Sequence, residues 1–398
     1  MANFDNSSRV PNGNVTEIIG TGSNDTIVLS FISYRLGGTT TGVIDGGGGT
    51  DTLDIDDVDL RFTTISGIEN TILRESIANR TIDIDADQIN NLGLVDVQDV
   101  TDGFLNIELY DVNDGDNADF GNFTLGDSES LSIRSFGTAG GENATFDFSG
   151  MSLSGTASLD SGIATRVRFT GGSSNDTITG SDERDIISGS FGNDIVNAGG
   201  GDDRIDGGGG DDVINGEAGN DVINDTSGTS VIDGGTGDDT ITVLSSNTSL
   251  SSVQGGADND TITVRNGSYT NNTIDGGADT DTLILENANV TGTTFAGLEM
   301  ATLQETVNTF ITIDASEIGN LGAITVGTLS DGILGLSLVN IDDGDVSDFS
   351  GLSLSDGQSL DVNATGGSSG DTYTADFSVV ALSGNPTTNG GGIAARID

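Results

Sequence analysis

From Gly171 to Thr242 the chain divides without a gap into eight nine-residue units: GGSSNDTIT, GSDERDIIS, GSFGNDIVN, AGGGDDRID, GGGGDDVIN, GEAGNDVIN, DTSGTSVID and GGTGDDTIT. Seven of the eight carry Asp at the sixth position and all eight carry Ile or Val at the eighth. A disordered acidic tract would not hold glycine, aspartate and an aliphatic residue in fixed phase. The phase therefore demands a repeating backbone, and each residue type has a job in it. The leading glycines permit tight turns that present carbonyl oxygens inward. The aspartate adds a carboxylate to that oxygen-lined turn. The last three residues make a short strand whose aliphatic side chain points into a narrow column, so that two units form one turn and the turns stack as parallel sheets.

With two units to each turn, aspartates two units apart lie above one another. One edge reads Asp176, Asp194, Asp212 and then Ser230, which lacks the acid; the other reads Asp185, Asp203, Asp221 and Asp239. GGADNDTIT from Gly255 and GGADTDTLI from Gly276 continue the second edge from Gly234 in two equal steps, each a little longer than two nonapeptides because the opposite half of the turn has grown. That register extends the second ladder to Asp260 and Asp281. Near the N-terminus, GTGSNDTIV from Gly20 and GGGGTDTLD from Gly46 have the same form, with Asp25 and Asp51 at the sixth position. These eleven aspartates are the expected metal ligands, and a hard oxygen-binding cation is expected between successive turns.

Residues 171–284 resemble the calcium-binding β-roll of the RTX family, whose repeat is GGxGxDxUx with U a large aliphatic residue. The resemblance implies bound calcium ions in several sites completed by loop carbonyls. It also implies export by a type I secretion system and folding on meeting extracellular calcium. Glu183 and Ala218 within the turns, and the missing acid at Ser230, depart from the repeat.

Composition agrees with a thin column. Of 398 residues only 33% are hydrophobic and 5% aromatic, while 62 are glycine. Stacked repeats need few apolar residues per turn. Sixty-three acidic residues against 12 basic ones, all arginine, give a formal net charge of −51, which repels a compact state unless cations neutralise it. That charge excludes nucleic acid as a partner. The chain has no His, no Cys and no Lys, which removes the Ser-His-Asp triad, the cysteine nucleophile, histidine-ligated zinc and the Schiff-base lysine. An enzyme is not expected. Arg166, Arg168, Arg184 and Arg204 form the main basic concentration, for which surface ion pairs with the many acids are the expectation. The opening MANFDNSSRVPNGN has no signal-peptide character, and no run of about 18 apolar residues occurs, so secretion without a cleaved N-terminal signal and no membrane span are expected.

A longer repeat flanks the nonapeptides. ISGIENTILRE (65–75), TIDIDADQINNLG (81–93) and DFGNFTLGDSESL (119–131) match FAGLEMATLQE (295–305), ITIDASEIGNLG (311–322) and DFSGLSLSDGQSL (348–360) at a nearly constant offset. Alternating runs such as TIDID and SLSI, divided by DG, GD and NG, predict strands and not helices. A wider solenoid continuing the β-roll or a separate β-sandwich both fit, with the repeat architecture favouring the solenoid. The chain is thus expected to be all-β: N-terminal RTX-like turns (1–54), a first β-rich block (55–170), the RTX β-roll (171–284) and a duplicate β-rich block (285–398). The flanking blocks are similar to segments found beside RTX repeats in bacterial surface-layer and other large secreted proteins, through the GIE or GLE before a strand and the IDA-type strand after it.

The second copy stops at Asp398, just short of where a following β-roll would begin, and the N-terminal turns have nothing stacked before them. The expectation is a head-to-tail homopolymer, an extracellular fibre, surface layer or matrix assembled on calcium binding. The alternative is a calcium-dependent adhesin on a cell-surface polysaccharide.

Overall fold

The computed structural model describes residues 2–3, 8–9, 17–30, 42–56, 58–76, 81–98, 100, 103–112, 115–126, 128–137, 143–153, 158–160, 163–244, 252–270, 272–306, 310–329, 333–341, 346–349, 351–354, 358–364, 374–376 and 381–382. Two compact units divide the chain, Met1–Arg204 and Ile205–Asp398. Asp398 and the segment 383–398 lie outside the described residues.

In the first unit the strands stack in sequence order as parallel ladders. Thr26–Ser30, Thr52–Asp56, Asn70–Arg74, Leu94–Gln98 and Phe123–Leu125 form one ladder. Glu17–Ile19, Gly42–Asp45 and Thr63–Ser66 form a second. Ile82–Asp85, Phe104–Val112, Ser130–Gly137, Val167–Thr170 and Ile186–Ser188 form a third, and Asn117–Asp119, Asn143–Asp147, Asn175–Thr179 and Ile195–Asn197 a fourth. Ser158–Asp160 with Ile163–Thr165 is an antiparallel pair, a hairpin set into the parallel stack.

The second unit repeats the plan. Val213–Asn215, Val231–Thr236, Ser252–Ala257, Thr273–Ala278 and Thr294–Ala296 stack in parallel register. So do Val222–Asp225, Thr240–Leu244, Thr261–Arg265, Thr282–Glu286, Met300–Glu305, Ala323–Leu329 and Leu352–Leu354. Ile311–Asp314, Ile333–Val339 and Ser359–Ala364 make a further parallel ladder. The fold is a parallel β-solenoid. A sandwich of antiparallel sheets does not describe the flanking blocks, because their strands pair in parallel with the equivalent strand of the next turn.

The width of the column follows the side chains available to fill it. In the nonapeptide stretch the eighth-position residues Ile178, Ile187, Val196, Ile205, Ile214, Ile223, Ile232 and Ile241 are at most 1% exposed. Each contributes about 1.5–3 kcal/mol by leaving water. Turns lengthen along the first block: Thr52 faces Asn70, Asn70 faces Leu94 and Val95 faces Phe123, so each successive turn takes in more chain than the last. The wider section is filled by aromatics. Phe120 stacks on Phe148 at 4.7 Å, and Phe169 meets Phe146 at 4.7 Å and Phe148 at 5.8 Å, all fully buried. In the longer turns that set Thr240 against Thr261 and Thr261 against Thr282, Tyr269 fills the extra space. It donates its hydroxyl to the carbonyls of Arg265 (2.6 Å) and Val243 (3.2 Å).

One expectation needs correction. The flanking blocks contain two 3-10 helices, Ala86–Asn91 and Ala315–Leu321, at matching places in the two copies. Their apolar residues recur every third position, Ala86, Ile89 and Leu92 in one and Ala315, Ile318 and Leu321 in the other, and all six are buried. A 3-10 helix has three residues per turn and sets such residues on one stripe; the alternating strand pattern stops at Asp85 and Asp314.

Candidate calcium centres

All eleven sequence-predicted aspartates occupy equivalent corners of turns and are at most 2% exposed. Each follows the tight glycine turn and, except for Asp176 within Asn175–Thr179, immediately precedes a strand, so its backbone continues the sheet while its side chain turns back into the loop. The amide hydrogens of Thr261 and Thr282, for example, go to the carbonyls of Asp239 and Asp260, both at 2.8 Å.

Successive aspartates are joined directly. In six pairs a carboxylate oxygen of the later aspartate accepts the backbone N–H of the aspartate one turn earlier. Asp25 donates to Asp51 (2.7 Å), Asp176 to Asp194 (2.8 Å) and Asp185 to Asp203 (2.6 Å). Asp221 donates to Asp239 (2.7 Å), Asp239 to Asp260 (2.8 Å) and Asp260 to Asp281 (2.8 Å). This uses Oδ1. Oδ2 of Asp51, Asp239, Asp260 and Asp281 is buried and accepts no hydrogen bond.

That second oxygen points at the first glycine of its own turn. A methyl group on Gly234 would run into Asp239 Oδ2, one on Gly255 into Asp260 Oδ2, and one on Gly276 would sit 2.8 Å from Asp281 Oδ2. The same methyl would collide with a carbonyl of the following turn: Gly255 for Gly234, Gly276 for Gly255 and Gly297 for Gly276. The glycine is required because two acceptor oxygens from different turns converge where a Cβ would lie. Carboxylate and carbonyl oxygens aimed at one point with no donor between them suit a hard cation, and calcium prefers such an oxygen-only set. Among the described residues no three acidic side chains cluster. Two-carboxylate or one-carboxylate sites completed by backbone carbonyls are therefore the arrangement these residues can offer.

Electrostatics point the same way. Burial pushes the carboxyls of Asp185, Asp239 and Asp260 up to about 7 and that of Asp176 to about 6. For Asp260 the neighbouring Asp239 and Asp281 add to the effect. Ionised carboxylates stacked at this depth need a cation or a proton. Asp185 is also served by a serine of its own turn: the Ser181 amide donates at 2.7 Å and the Ser181 hydroxyl at 3.0 Å. Thr21 plays the same part for Asp25 through its amide (2.5 Å) and hydroxyl (2.9 Å).

Three features escaped the sequence pattern. The ladder from Asp25 ends on Glu69, whose carboxylate accepts the Asp51 amide at 2.7 Å, and the ladder through Asp260 ends on Glu299, which accepts the Asp281 amide at 2.8 Å. Both are the glutamate of the GIE and GLE motifs, one turn beyond the last aspartate. The duplication carried that signal. Arg166 corrects the expectation of surface ion pairs. It is fully buried, donates to the carbonyls of Glu129 (2.8 Å) and Gly126 (3.3 Å) and pairs with Glu183 at 2.9 Å. Its neighbour Val167 donates its amide to Asp185 (2.9 Å), so the chain supplies its own cation at the edge of that ladder. Asp225, the third feature, is buried at a position where other turns have glycine.

The fold and these corners define a parallel β-roll of the calcium-binding type. A family model described as the RTX calcium-binding nonapeptide repeat (4 copies) matches residues 170–205, 188–223 and 225–247, so this stretch is made of RTX repeats, which bind calcium ions in multiple sites. No curated protein and no solved structure matches the chain. Among the described residues no helix is long and apolar enough to cross a membrane.

Proposed function

We propose that the protein is a secreted structural subunit whose folding, and then assembly into an extracellular fibre, layer or matrix, is switched by calcium binding to the aspartate ladders. The observation that carries this reading is the buried, hydrogen-bond-free Oδ2 of Asp51, Asp239, Asp260 and Asp281, each facing a carbonyl oxygen across a glycine. A ladder of unneutralised carboxylates opposes its own stacking, and calcium reverses that balance. Because calcium binds the folded turns, stability follows its concentration, and extracellular modules bind at about 0.1–1 mM.

In this reading the ligands are Asp25, Asp51, Asp176, Asp185, Asp194, Asp203, Asp212, Asp221, Asp239, Asp260 and Asp281, joined by backbone carbonyls. Segments 1–54 and 171–284 are the calcium-loaded turns, and 55–170 and 285–398 are wider spacers. The role is non-enzymatic, supported by the absence of His, Cys and Lys from the sequence. Assembly between copies is supported by apolar side chains on the outer face of the roll: the register partners Val213 and Val231 are 37% and 41% exposed. Once calcium has lowered the charge, such a face favours lateral association.

Circular dichroism with light scattering, titrating calcium from a chelated start to several millimolar, tests both halves. A cooperative gain of β-structure followed by scattering is expected. Folding without scattering would leave a calcium-binding module of the adhesin kind, and no response to calcium would overturn the reading.

A further inference from the structure

The seventh nonapeptide, Asp225 to Asp233, breaks the repeat twice: it has Ser230 where the other units have aspartate and Asp225 where the others have glycine or alanine. The two breaks are one exchange. In an ordinary turn one aspartate does two jobs, accepting the amide of the preceding turn through Oδ1 and holding Oδ2 in the gap beside the first-position glycine. Here the jobs are divided. Ser230 Oγ accepts the Asp212 amide at 3.2 Å, in the place of Oδ1. The hydroxyl is shorter than a carboxylate, and the Asp225 carboxyl lies beside it, hydrogen-bonded to the Ser230 side chain and to the backbone at Ser227 and Thr226.

Positions one and six of a turn touch, which is why the exchange works. At Gly216 and Gly276 a first-position side chain would run into the sixth-position carboxylate. With serine at position six that obstruction is gone. Asp225 is 1% exposed, Ser230 is fully buried, and Asp225 Oδ1 accepts no hydrogen bond. A methyl group on Gly207 would lie 2.8 Å from Asp212 Oδ2 and 3.5 Å from Asp225 Oδ1, so the two carboxylates converge on one point from successive turns of the same edge. In the regular turns the second oxygen at this point is a backbone carbonyl of the following turn, as at Gly216 and Gly276; here it is the carboxylate of Asp225.

We infer that Asp225 is a calcium ligand that, with Asp212, completes a cation site at the turn where the repeat has lost its aspartate. The inference rests on the calcium reading above and extends it: the series Asp176, Asp194, Asp212 continues by one more rung through Asp225.

Equilibrium dialysis of the full chain against calcium counts the bound ions. The native protein sets the reference, and a native chain that binds none overturns the calcium reading itself. Asp225→Asn is expected to bind one ion fewer than native, and an unchanged count would overturn the assignment of Asp225 alone. Should Asp225→Asn fail to fold, the double variant Asp225→Gly with Ser230→Asp restores the ordinary repeat and decides the matter. A count equal to native supports the exchange; one ion more than native shows that the natural turn held no site and overturns it.

Discussion

The backbone N–H of Asp281 donates to the carboxylate of Glu299 at 2.8 Å, and the N–H of Asp51 donates to that of Glu69 at 2.7 Å. In both copies the aspartate ladder ends on a glutamate one turn further on, whose longer side chain reaches back from a turn built on a different plan. The glutamate satisfies an amide that would otherwise be left without its acceptor at a buried corner. Glu299→Ala removes that acceptor and is expected to cost about 1–3 kcal/mol of stability in saturating calcium. A urea midpoint for Glu299→Ala equal to that of the native protein would show that water serves the Asp281 amide equally well.

Acidity and calcium should act as partial substitutes. Burial holds Asp185, Asp239 and Asp260 near 7 in the folded state, against about 4 for an unfolded aspartate. Between those values the folded chain carries more protons than the unfolded one, so the metal-free fold loses stability as pH rises from about 4 to about 7 and is weakest above that window. In metal-free buffer the β-sheet dichroism should grow on going from pH 8 to pH 5, while calcium affinity measured over the same range should fall. A metal-free signal independent of pH would contradict the burial of these carboxylates.

Arg166 is a fully buried fixed cation. Replacing it by Met keeps its bulk and strands the Glu129 and Gly126 carbonyls that its guanidinium serves. The expected loss is about 2–3 kcal/mol, less than for a pair buried on both sides because the Glu183 side chain is 40% exposed and can hydrate. Chemical denaturation of Arg166→Met in saturating calcium measures this, and a loss below about 0.5 kcal/mol, the size of an ordinary surface substitution, would refute it.

Strain is stored where the repeat departs from glycine. Glu217 holds a φ of +70° in the sixth nonapeptide, a conformation that costs a residue with a Cβ about 1–2 kcal/mol. Glu217→Gly should therefore lower the calcium concentration needed for half-folding, by less than about twofold, because the gain left after allowing for the greater freedom of glycine in the unfolded chain is shared among the several ions bound on folding. An increase would mean that the Glu217 carboxylate itself assists binding.

The residues most open to reading from sequence were those whose chemistry repeats in step with the backbone. Asp185 and Asp203 in the first unit, and Asp239 and Asp260 in the second, could be placed above one another by spacing alone, because the turns of the narrow column either keep one length or grow by a fixed step around one aliphatic filler. In the flanking blocks the repeat architecture favoured the solenoid that is found, but the strands alone did not decide it: alternation in TIDID is equally good for parallel and antiparallel neighbours, and the choice is made by pairing partners far apart in the chain, such as Val95 and Phe123. The 3-10 helices at Ala86 and Ala315 were hidden because a three-residue spacing sustained for only two turns hardly stands out from a loop. Glu69, Glu299 and Asp225 escaped because each performs the aspartate's task from outside the sixth position, and a motif defined by position cannot register a job done from elsewhere. The burial of Arg166 is not legible because a strongly acidic composition makes any arginine look like a surface counter-charge.

The ladder bonds all run one way: the carboxylate belongs to the later turn and the amide to the earlier one, as between Asp239 and Asp260 or Asp260 and Asp281. The growing column therefore has a polarity. A turn joining on the amino-terminal side of a formed stack meets an acceptor already in place, whereas one joining on the carboxyl-terminal side must bring its own. Winding and unwinding of the two ends need not proceed at the same pace, and a load applied to one end would be borne by different chemistry than a load applied to the other.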